Sequence, residues 1–556
     1  MKSSKVSTQI FEGQKPGTSG LRKKVKEFFA PNYTENFIQC TLDAIDRKVI
    51  QGCTLVVGGD GRYGVPETVG KIIQIAAANG VGKLIVGQRG IFSTPALSCA
   101  ITKYRADGGI ILTASHNPGG PNADFGMKFN MENGGPAPTE FTNKIFEHSK
   151  KIKEYLIVPD LKVDINSCGA HEFDIDGNPF KVEVIDSLKD YVELMKDIFN
   201  FDQIKEYIKG TNILINSLHG VTGPYVEKIF EDELGVDPST SFMKTTILPD
   251  FGGEHPDPNL TYAKDLVEAM QGGDFDFGAA FDGDGDRNMI LGTKGFFVTP
   301  CDSVAVIANN LECIPYFQKT KITGYARSMP TSGALDRVAK TKGKECFETP
   351  TGWKFFGNLL DAERICLCGE ESFGTGSSHV REKDGIWAAL AWLQILASQK
   401  QSVKGVLENH WAQYGRNFFT RYDFEDCKSE EGQQMIDLLH KFIEDSSNIG
   451  KSFNSLDKTF TVSKLDDFSY TDPIDGSIST NQGIRVFFED GSRIVYRLSG
   501  TGSSGATIRV YVDAYEADKE KQVLSAKEML APCVQLALKI ADIERITGRK
   551  EPTVIT

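Results

Sequence analysis

Three aspartates alternate with glycines directly after an apolar run, and this spacing indicates a cation site. The run Phe277–Phe281 is followed by Asp282, Asp284 and Asp286. Carboxylates this close repel one another unless a cation joins them, and a ligand set made only of oxygens favours Mg²⁺, Ca²⁺ or Mn²⁺ over zinc. The loop is not an EF-hand, because Arg287 stands where that motif needs glycine. The alternative is a solvated acidic turn, but a position after a strand favours a ligand site.

A second loop combines glycines and hydroxyl groups between two arginines, which is typical of a phosphate-binding turn. It runs from Arg497 to Arg509 and reads Arg-Leu-Ser-Gly-Thr-Gly-Ser-Ser-Gly-Ala-Thr-Ile-Arg. It contains G-x-G-x-x-G, but a dinucleotide fingerprint needs a helix next, and Thr507–Val512 is predicted to be a strand. A Walker A loop is disfavoured because Ala506 replaces its lysine. Backbone N–H groups, hydroxyls and guanidinium groups suit a phosphate; the alternative is a flexible hairpin loop with exposed arginines.

Ser115 lies in a polar loop after the apolar run Gly109–Leu112 and is followed by His116. The loop lacks the G-x-S-x-G pattern, which disfavours a serine hydrolase. A serine here could instead carry a phosphoryl group, which adds three acceptor oxygens and up to two negative charges. From the residue type alone, a simple turn residue is the more common interpretation.

Carboxylates and a hydroxyl also follow a run near residue 368, in the segment Gly369–Gly374. Glu370 and Ser372 offer acceptors that suit vicinal sugar hydroxyls. The segment is equally compatible with a helix that begins with acidic residues in its first turn. The residues themselves leave both interpretations open.

The elements that must position these loops alternate between strand-like and helical patterns. Short apolar runs, each followed by a polar loop with glycine, occur at 54–57, 83–86, 109–112, 212–215, 277–281 and 364–368. Such runs suit strands buried on both faces. Glu67–Asn79 and Ile386–Ala397 are predicted helices, the second buried because it is apolar nearly all round. The fold class is therefore α/β, with ligands expected at the carboxyl ends of strands.

The last part of the chain has a different pattern and indicates a distinct α+β domain. Gly483–Phe488 and Arg493–Leu498 flank a short loop and predict a hairpin, and Gln522–Arg545 is predicted to be helical. At roughly 100–200 residues per domain, three or four domains are expected. We expect α/β domains with the serine, aspartate and Glu370 loops at 1–190, 191–305 and 306–405, and an α+β domain with the phosphate loop at 406–556.

Composition excludes several classes of protein. The 556 residues include 62 Lys and Arg against 75 Asp and Glu, a net charge of −13, which argues against nucleic acid and anionic membranes as partners. The 11 cysteines form no C-x-x-C pair, so neither a zinc site nor a disulfide framework is expected. Met1–Gly13 lacks an apolar signal core, and Ile386–Leu396 is too short to span a bilayer. We expect a cytoplasmic protein without a transmembrane segment; no oligomeric state is predicted.

Taken together, the loops resemble those of the α-D-phosphohexomutase superfamily, and within it the eukaryotic phosphoglucomutases. The resemblance runs nearly end to end. It covers residues 15–22, the Ser115 loop, residues 126–130, the Asp282 loop, residues 349–355, the Glu370 loop, residues 381–385, the Arg497 loop and residues 552–556.

The resemblance implies four domains around one cleft, three related α/β domains with mixed sheets and a C-terminal α+β domain. It implies reversible conversion of α-D-glucose 1-phosphate to glucose 6-phosphate, an isomerase reaction of glucose metabolism. Ser115 would be phosphorylated, Mg²⁺ would be the metal, and glucose 1,6-bisphosphate would be the intermediate and activator. The partners would be small sugar phosphates.

The resemblance also implies roles for individual residues. Ser115, His116, Lys128 and Arg287 would be catalytic, with His116 and Lys128 the candidates for proton transfer. Ser115, Asp282, Asp284 and Asp286 would bind the metal. The substrate would be bound by Arg22, Thr351, Gly352, Glu370, Ser372, Lys383, Arg497, Ser499, Thr501 and Arg509.

Two alternatives remain open. Relatives in this family include scaffold or secretion-associated proteins in which catalysis is secondary or absent, but these are disfavoured because the serine and all three aspartates are present. A second alternative keeps the enzyme and changes the sugar to mannose or a pentose; the Glu370-Glu371-Ser372-Phe373-Gly374 form resembles the glucose-preferring branch.

Overall fold

The computed structural model describes residues 1–17, 19–500 and 505–556. Four large sheets succeed one another along the chain, and helices cover them. The first three sheets mix parallel and antiparallel pairs, whereas the described strands of the fourth are all paired antiparallel. The predicted fold class is thereby confirmed.

The first sheet has seven strands and carries the Ser115 loop. Its order is Leu21–Lys24, Asp124–Met131, Gly108–Leu112, Thr54–Gly59, Lys83–Ile91, Asn178–Ile185 and Gly169–Ile175. Its helices are Val25–Phe28, Tyr33–Ala44, Arg47–Ile50, Val65–Ala78, Thr94–Lys103 and Thr139–Ser149. The strands Ser4–Ser7 and Glu154–Ile157 form a separate pair beside it. The central strands are buried over nearly their whole length, as the apolar runs predict.

The second sheet has five strands and carries the three aspartates. Its order is Phe242–Met243, Ile213–Asn216, Phe277–Phe281, Asn288–Gly292 and Phe296–Val298. Its helices are Lys189–Ile198, Phe201–Ile208, Thr222–Val226, Pro238–Ser241 and Lys264–Gly272, with a π-helical stretch at Glu227–Glu233. The strand Phe277–Phe281 pairs antiparallel with Asn288–Gly292, so the aspartate loop is the turn of a hairpin.

The third sheet has four strands, in the order Cys346–Thr349, Tyr325–Ser328, Leu367–Glu370 and Gly374–Ser377. Its helices are Pro300–Asn309, Pro315–Lys319, Ala334–Lys342, Trp353–Asp361, Gly385–Gln399 and Val403–Tyr414. The sequence predicted the third of these strands to begin at 364, but helix Trp353–Asp361 and the left-handed residue Glu363 precede it, and the strand begins at Leu367. Glu370 ends one strand of a hairpin, so the alternative of an acidic helix start is wrong.

The final sheet has seven strands and is formed by the last part of the chain, from Arg416 to Ile555. Its order is Ser452–Ser455, Lys458–Asp467, Ile484–Phe488, Arg493–Ser499, Ala506–Glu516, Arg416–Cys427 and Val554–Ile555. Its helices are Ser429–Glu444, Lys519–Gln522, Ala526–Ile540 and Ile543–Thr547, and the strands Tyr470–Thr471 and Ile478–Ser479 form a small separate pair. The predicted hairpin of Ile484–Phe488 with Arg493–Ser499 is confirmed.

The apolar cores divide unequally among the sheets. One continuous cluster includes side chains around each of the first three sheets, from Val56 to Tyr414, and contains the wholly buried helix Gly385–Gln399. The final sheet has its own cluster, from Phe418 to Ile546. A small cluster that includes Met329, Phe355 and Phe419 lies between the third and final sheets. The final sheet therefore shares little apolar core with the rest.

Candidate functional site

The Ser115 hydroxyl lies against the first aspartate of the acidic loop. Ser115 is 3% exposed and its backbone is left-handed, with φ of +53°. Its Oγ donates to Asp282 Oδ2 at 3.0 Å and lies 3.4 Å from His116 Nδ1. The first and second sheets thus bring together residues that lie 167 positions apart. The serine is held where it can carry a group that also contacts the acidic loop.

A buried arginine holds the Ser115 loop from behind. The guanidinium of Arg62 donates to the carbonyl oxygens of Ser115 at 2.9 Å, Asn117 at 3.4 Å and Asp124 at 2.8 Å, and it is paired with Asp60 at 2.9 Å. Sequence reasoning missed both residues as functional. The signal was available, because they belong to a Gly-Asp-Gly-Arg loop after the strand Thr54–Gly59.

Thr113 completes this support. Its Oγ1 donates to Asp60 Oδ2 at 2.6 Å and accepts the backbone N–H of Ser115 at 2.7 Å. A left-handed serine is uncommon, and such a conformation persists only when its surroundings fix it. The pair of Asp60 and Arg62, together with Thr113, supplies that constraint.

The three aspartates form a compact oxygen cluster. One carboxylate oxygen of each lies within 4.8 Å of those of the other two, and all three residues are buried. Burial, with the charges of Asp286 and Asp284, raises the pKa of Asp282 well above its usual value. Asp284 Oδ1 and Asp286 Oδ1 are buried without a hydrogen-bond partner. Unpartnered buried carboxylate oxygens fit a hard divalent cation, which takes oxygen ligands.

Neighbouring side chains orient this cluster. Thr94 Oγ1 donates to Asp284 Oδ2 at 2.7 Å, and Lys383 Nζ lies 3.2 Å from Asp286 Oδ2. The backbone N–H of Arg287 donates to Asp282 Oδ1 at 2.9 Å. Lys383 is itself positioned by the following residue, since Asp384 accepts from the backbone of Trp387 and caps helix Gly385–Gln399.

A polar cavity of about 360 Å³ opens above the cluster, and most of the predicted site residues line it. The predicted residues in its wall are Arg22, His116, Lys128, Asp286, Arg287, Thr351, Gly352, Glu370, Ser372, Lys383, Ser499 and Arg509. They come from all four sheets and their loops. The cavity is large enough for a small polar metabolite.

Several buried polar groups at this cavity lack a hydrogen-bond partner in the described part of the chain. Arg22 Nε, Arg287 Nε, Arg509 Nε and Thr351 Oγ1 are buried without a hydrogen-bond partner. Buried polar groups are normally satisfied, because leaving them unpaired costs free energy. Guanidinium donors and a hydroxyl turned to a ligand would be satisfied by phosphate and sugar oxygens.

The same cations determine the state of His116. Burial, and then the charges of Arg287, Arg22, Arg509 and Lys383, lowers the pKa of His116 well below its usual value. The protonated imidazole is therefore disfavoured, and the neutral ring offers one unprotonated nitrogen as a hydrogen-bond acceptor. Lys128 Nζ lies 2.9 Å from Glu382 Oε1, which also accepts from Asn130.

Glu370 lines the cavity, and a hydrogen bond from a neighbouring loop fixes its carboxyl group. Its Oε1 accepts the backbone N–H of Gly352 at 3.2 Å, which joins the two segments predicted to bind the sugar. Burial raises the pKa of Glu370, although the nearby Lys383 acts in the opposite direction. A carboxyl group at this position can accept or donate a hydrogen bond to a sugar hydroxyl.

Two predicted phosphate ligands are not placed at this cavity, one because it lines a different cavity and one because it is not among the described residues. Arg497 lies opposite Arg509 on the neighbouring strand, but it does not line this cavity. Its Nε donates to the carbonyl oxygen of Gln482 at 3.3 Å, and its side chain lines a separate cavity with His440. Thr501 lies outside the residues that the structure describes.

The chain matches models of known families in four segments. Residues 13–156, 189–295 and 302–414 match domains I, II and III of the phosphoglucomutase/phosphomannomutase family, each described as alpha/beta/alpha. Residues 416–553 match the phosphoglucomutase-1 C-terminal domain.

Individual relatives match over almost the whole chain. It is 59% identical to human phosphoglucomutase-1 over 557 residues, covering 99% of both chains. It is 50% identical to human phosphoglucomutase-like protein 5, covering 99% of this chain and 98% of that one. The fold is also similar to a crystal structure of the exocytosis-sensitive phosphoprotein pp63/parafusin, a phosphoglucomutase from Paramecium, in its open form. The TM-score is 0.90 and the two sequences are 47% identical, covering 100% of this chain and 99% of that chain.

Proposed function

The chain belongs to the phosphoglucomutase/phosphomannomutase family, and from that premise we propose that it interconverts α-D-glucose 1-phosphate and glucose 6-phosphate. The observation that carries the proposal is the Ser115 hydroxyl, which is buried, bonded to Asp282 and placed beside a cavity lined with arginine and lysine. Phosphoryl transfer depends on positioning and on neutralising oxygen charge, and this site supplies both.

Ser115 acts as the carrier of the phosphoryl group. In the first half-reaction, phosphoserine transfers its phosphoryl group to the free hydroxyl of the bound sugar phosphate, and the O–P bond at Ser115 Oγ breaks. The product is glucose 1,6-bisphosphate, which turns over within the cleft. In the second half-reaction its other phosphoryl group returns to Ser115 Oγ, leaving the isomeric monophosphate.

His116 and Lys128 remain the candidates for moving the hydroxyl proton. The neutral His116 has its Nδ1 3.4 Å from Ser115 Oγ, close to where the attacking hydroxyl must lie. Arg287 lines the cavity beside the acidic loop, where its charge stabilises the transferring oxygens.

Asp282, Asp284 and Asp286 are the residues that would hold the metal, together with an oxygen of phosphorylated Ser115. We propose Mg²⁺, which accepts oxygen ligands only and usually keeps some water. When bound, the metal supplies positive charge to the phosphoryl oxygens. The unpartnered oxygens of Asp284 and Asp286 support this assignment.

Substrate recognition divides between the walls of the cavity. Glu370 and Ser372, with Thr351 and Gly352, are proposed to bind the sugar hydroxyls, and Ser499 and Arg509 the phosphate that does not react. Arg22 and Lys383 provide further positive charge. A mannose or pentose phosphate would meet the same charges but a different hydroxyl arrangement, so comparing kcat/KM among these sugars tests the choice of glucose.

The structure gives no support to a purely scaffolding role. A scaffold has no need of a left-handed serine bonded to an acidic cluster, yet that arrangement is intact. The identity to phosphoglucomutase-1 also exceeds the identity to phosphoglucomutase-like protein 5, at 59% against 50%.

We also propose the cellular compartment and the binding partners of the protein. No described helix is long and apolar enough to cross a membrane. All 11 cysteines are unpaired, which fits a reducing compartment such as the cytoplasm. The negative net charge fits small sugar phosphates rather than nucleic acid as partners.

The proposed function is tested by mass analysis of Ser115 and by turnover. The purified protein should carry phosphate on the peptide that contains Ser115, and activity should need Mg²⁺ and be primed by glucose 1,6-bisphosphate. Ser115→Ala should lose measurable turnover because it removes the hydroxyl that is proposed to carry the phosphoryl group. Full turnover in that variant would refute the mechanism.

A further inference from the structure

A line of four charged side chains joins the sugar loop of the third sheet to the phosphate loop of the final sheet. Glu371, next to Glu370 in the sugar loop, accepts from Arg421 Nη1 at 2.8 Å. Arg421 Nη2 lies 3.0 Å from Asp423 Oδ2, and Asp423 Oδ1 lies 3.7 Å from Arg509 Nε. The signs alternate along the line, so its net charge is zero.

The line is buried, which makes its members depend on one another. The side chains of Glu371, Arg421 and Asp423 are 1%, 6% and 3% exposed, and that of Arg509 is 18% exposed. Removing one partner of a buried pair leaves the other charge uncompensated. Without Asp423, the two arginines would also repel each other. A change at one end therefore alters the electrostatic balance at the other.

One end of the line is fixed and the other faces the cleft. The backbone N–H of Glu371 donates to Thr331 Oγ1 at 2.8 Å, and Arg421 exchanges two backbone hydrogen bonds with Thr556 at 2.7 and 3.0 Å. Arg509 lines the cavity and its Nε has no hydrogen-bond partner. A ligand phosphate can therefore interact with Arg509, whereas the backbones of Glu371 and Arg421 are held by neighbouring residues.

We propose that Glu371, Arg421 and Asp423 are positioning residues that couple phosphate binding at Arg509 to the sugar loop, an inference that rests on the proposed function. A phosphate at Arg509 competes with Asp423 for that guanidinium. Asp423 then interacts more strongly with Arg421, which holds Glu371 and so the adjacent Glu370 and Ser372. Phosphate binding at Arg509 and the sugar loop are thereby coupled through one charge balance.

The coupling is tested with inorganic phosphate as the probe, by calorimetric titration of the full-length protein with Mg²⁺ present. Glu371 lies in the sugar loop and its partner is Arg421, so a purely local role predicts no effect on phosphate affinity. Loss of the Glu371 charge lets Arg421 pair more strongly with Asp423 and so weakens the hold of Asp423 on Arg509. We therefore expect Glu371→Gln to lower the Kd for phosphate at least about fivefold, the lower range of measured coupling between sites. Asp423→Asn removes the carboxylate that competes with phosphate for Arg509 and should lower the Kd at least as much.

A double variant distinguishes coupling from two separate effects. If Glu371 acts through Asp423, Glu371→Gln combined with Asp423→Asn should bind phosphate about as tightly as Asp423→Asn alone. Glu516→Gln is the matched control, because Glu516 lies at the other end of the strand that carries Arg509 and accepts from the backbone N–H of Asp518. It should keep the wild-type Kd. Thermal melts establish that each variant is folded at the assay temperature.

Three outcomes would overturn the proposal: a Kd for Glu371→Gln that stays within about twofold of wild type, a double variant whose effect is the product of the single effects, or an unchanged Kd in Arg509→Met. Turnover of glucose 1-phosphate by the wild type is measured in parallel. An inactive wild type refutes the proposed function, whereas an active wild type with an unchanged Kd in Glu371→Gln refutes the coupling alone.

Discussion

At the scale of single residues, Ser115 depends on a side chain that never reaches the cleft. Arg62 is 1% exposed, and its guanidinium donates hydrogen bonds to Asp60 and to three carbonyl oxygens of the Ser115 loop. Five donors in a fixed planar fork make arginine suited to this task. The reactive serine and its support are therefore one unit.

Replacing Arg62 by methionine should damage stability and turnover together. Arg62→Met leaves Asp60 buried without its cation, which typically costs about 3–5 kcal/mol of unfolding free energy. The Ser115 loop also loses its three donors, so kcat should fall more than KM rises. Urea denaturation and steady-state kinetics measure both effects.

A double variant provides the control for this prediction. Asp60→Asn combined with Arg62→Met removes both buried charges, so it should be more stable than Arg62→Met alone. Its kcat should remain low because the loop still lacks its donors. A single variant as stable as the wild type would show that the ion pair does not support the loop.

The aspartate cluster gives a prediction that needs no enzyme assay. Mg²⁺ should raise the melting temperature of the wild type, since a ligand at 100 times its Kd stabilises the folded state by about 2.7 kcal/mol. Asp284→Asn should lose most of that response because it removes one charged ligand from a set of three. Asp276→Asn is the control, as Asp276 lies at the other end of the same strand and accepts from Asn212. An undiminished Mg²⁺ response in Asp284→Asn would place the metal elsewhere.

The sequence predicted the chemistry of this cluster but not its support. Three aspartates spaced by glycine after an apolar run indicate a cation site by type and spacing alone. The role of Ser115 needed the resemblance, since a lone serine in a turn has no signature. Arg62 acts on residues 53 and 62 positions away, and no local pattern records such contacts.

At the scale of elements, strands were predicted better than the loops between them. The run Phe277–Phe281 is a strand with those limits, because a short apolar run between polar loops has few alternatives. The Glu370 segment was ambiguous from its residues. Pairing with Gly374–Ser377 decides it, and the isolated bridge from Gly374 to Arg287 ties this hairpin to the acidic loop. Long-range pairing is what local sequence cannot show.

One helix contains a group that should make stability depend on pH. His410 lies in helix Val403–Tyr414, and burial lowers its pKa from 6.5 to about 4. The unfolded chain binds a proton at this histidine below about pH 6.5 while the folded chain does not, so the stabilising contribution is present above that pH and is lost as pH falls towards 4. The shift corresponds to roughly 3 kcal/mol at its full extent.

His410→Gln tests this directly because glutamine does not titrate. Between pH 7.5 and 4 the unfolding free energy of the wild type should fall by about 3 kcal/mol more than that of the variant. Denaturant titrations at several pH values measure the two slopes, and each protein at pH 7.5 is its own baseline. Parallel curves would mean that His410 is solvated or protonated in the folded state.

At the scale of the whole molecule, the net charge and the site differ in sign. The chain carries −13 overall, yet Arg22, Lys128, Arg287, Lys383 and Arg509 converge on one cavity. Local charge, not net charge, decides which small ligand binds. The sequence predicted this convergence through the resemblance. It did not show that one apolar cluster reaches each of the first three sheets while the main cluster of the final sheet is separate, because packing between domains leaves no periodic signal.

The final sheet is joined to the third partly by ion pairs, which makes it the unit most easily loosened. Glu348 lies on the third sheet and pairs with Arg327 of that sheet and with Arg485 and Arg493 of the final one, at 3.0, 2.9 and 3.3 Å. Glu348→Gln leaves three buried guanidinium groups with one negative charge fewer to balance them. The Glu348 side chain is 30% exposed, so water compensates part of the loss. We therefore expect the free energy of unfolding to fall by about 1–3 kcal/mol rather than by the full cost of a broken buried pair. Hydrogen exchange should rise in residues 416–556 before it rises in the shared core, because the apolar contact between the two parts is small.

Glu345→Gln is the matched control, since Glu345 forms an exposed pair with Arg364 on the same side of the interface and should have little effect. If exchange rose equally across the chain in Glu348→Gln, the four sheets would unfold as one unit, and the final sheet would not be the part most easily loosened.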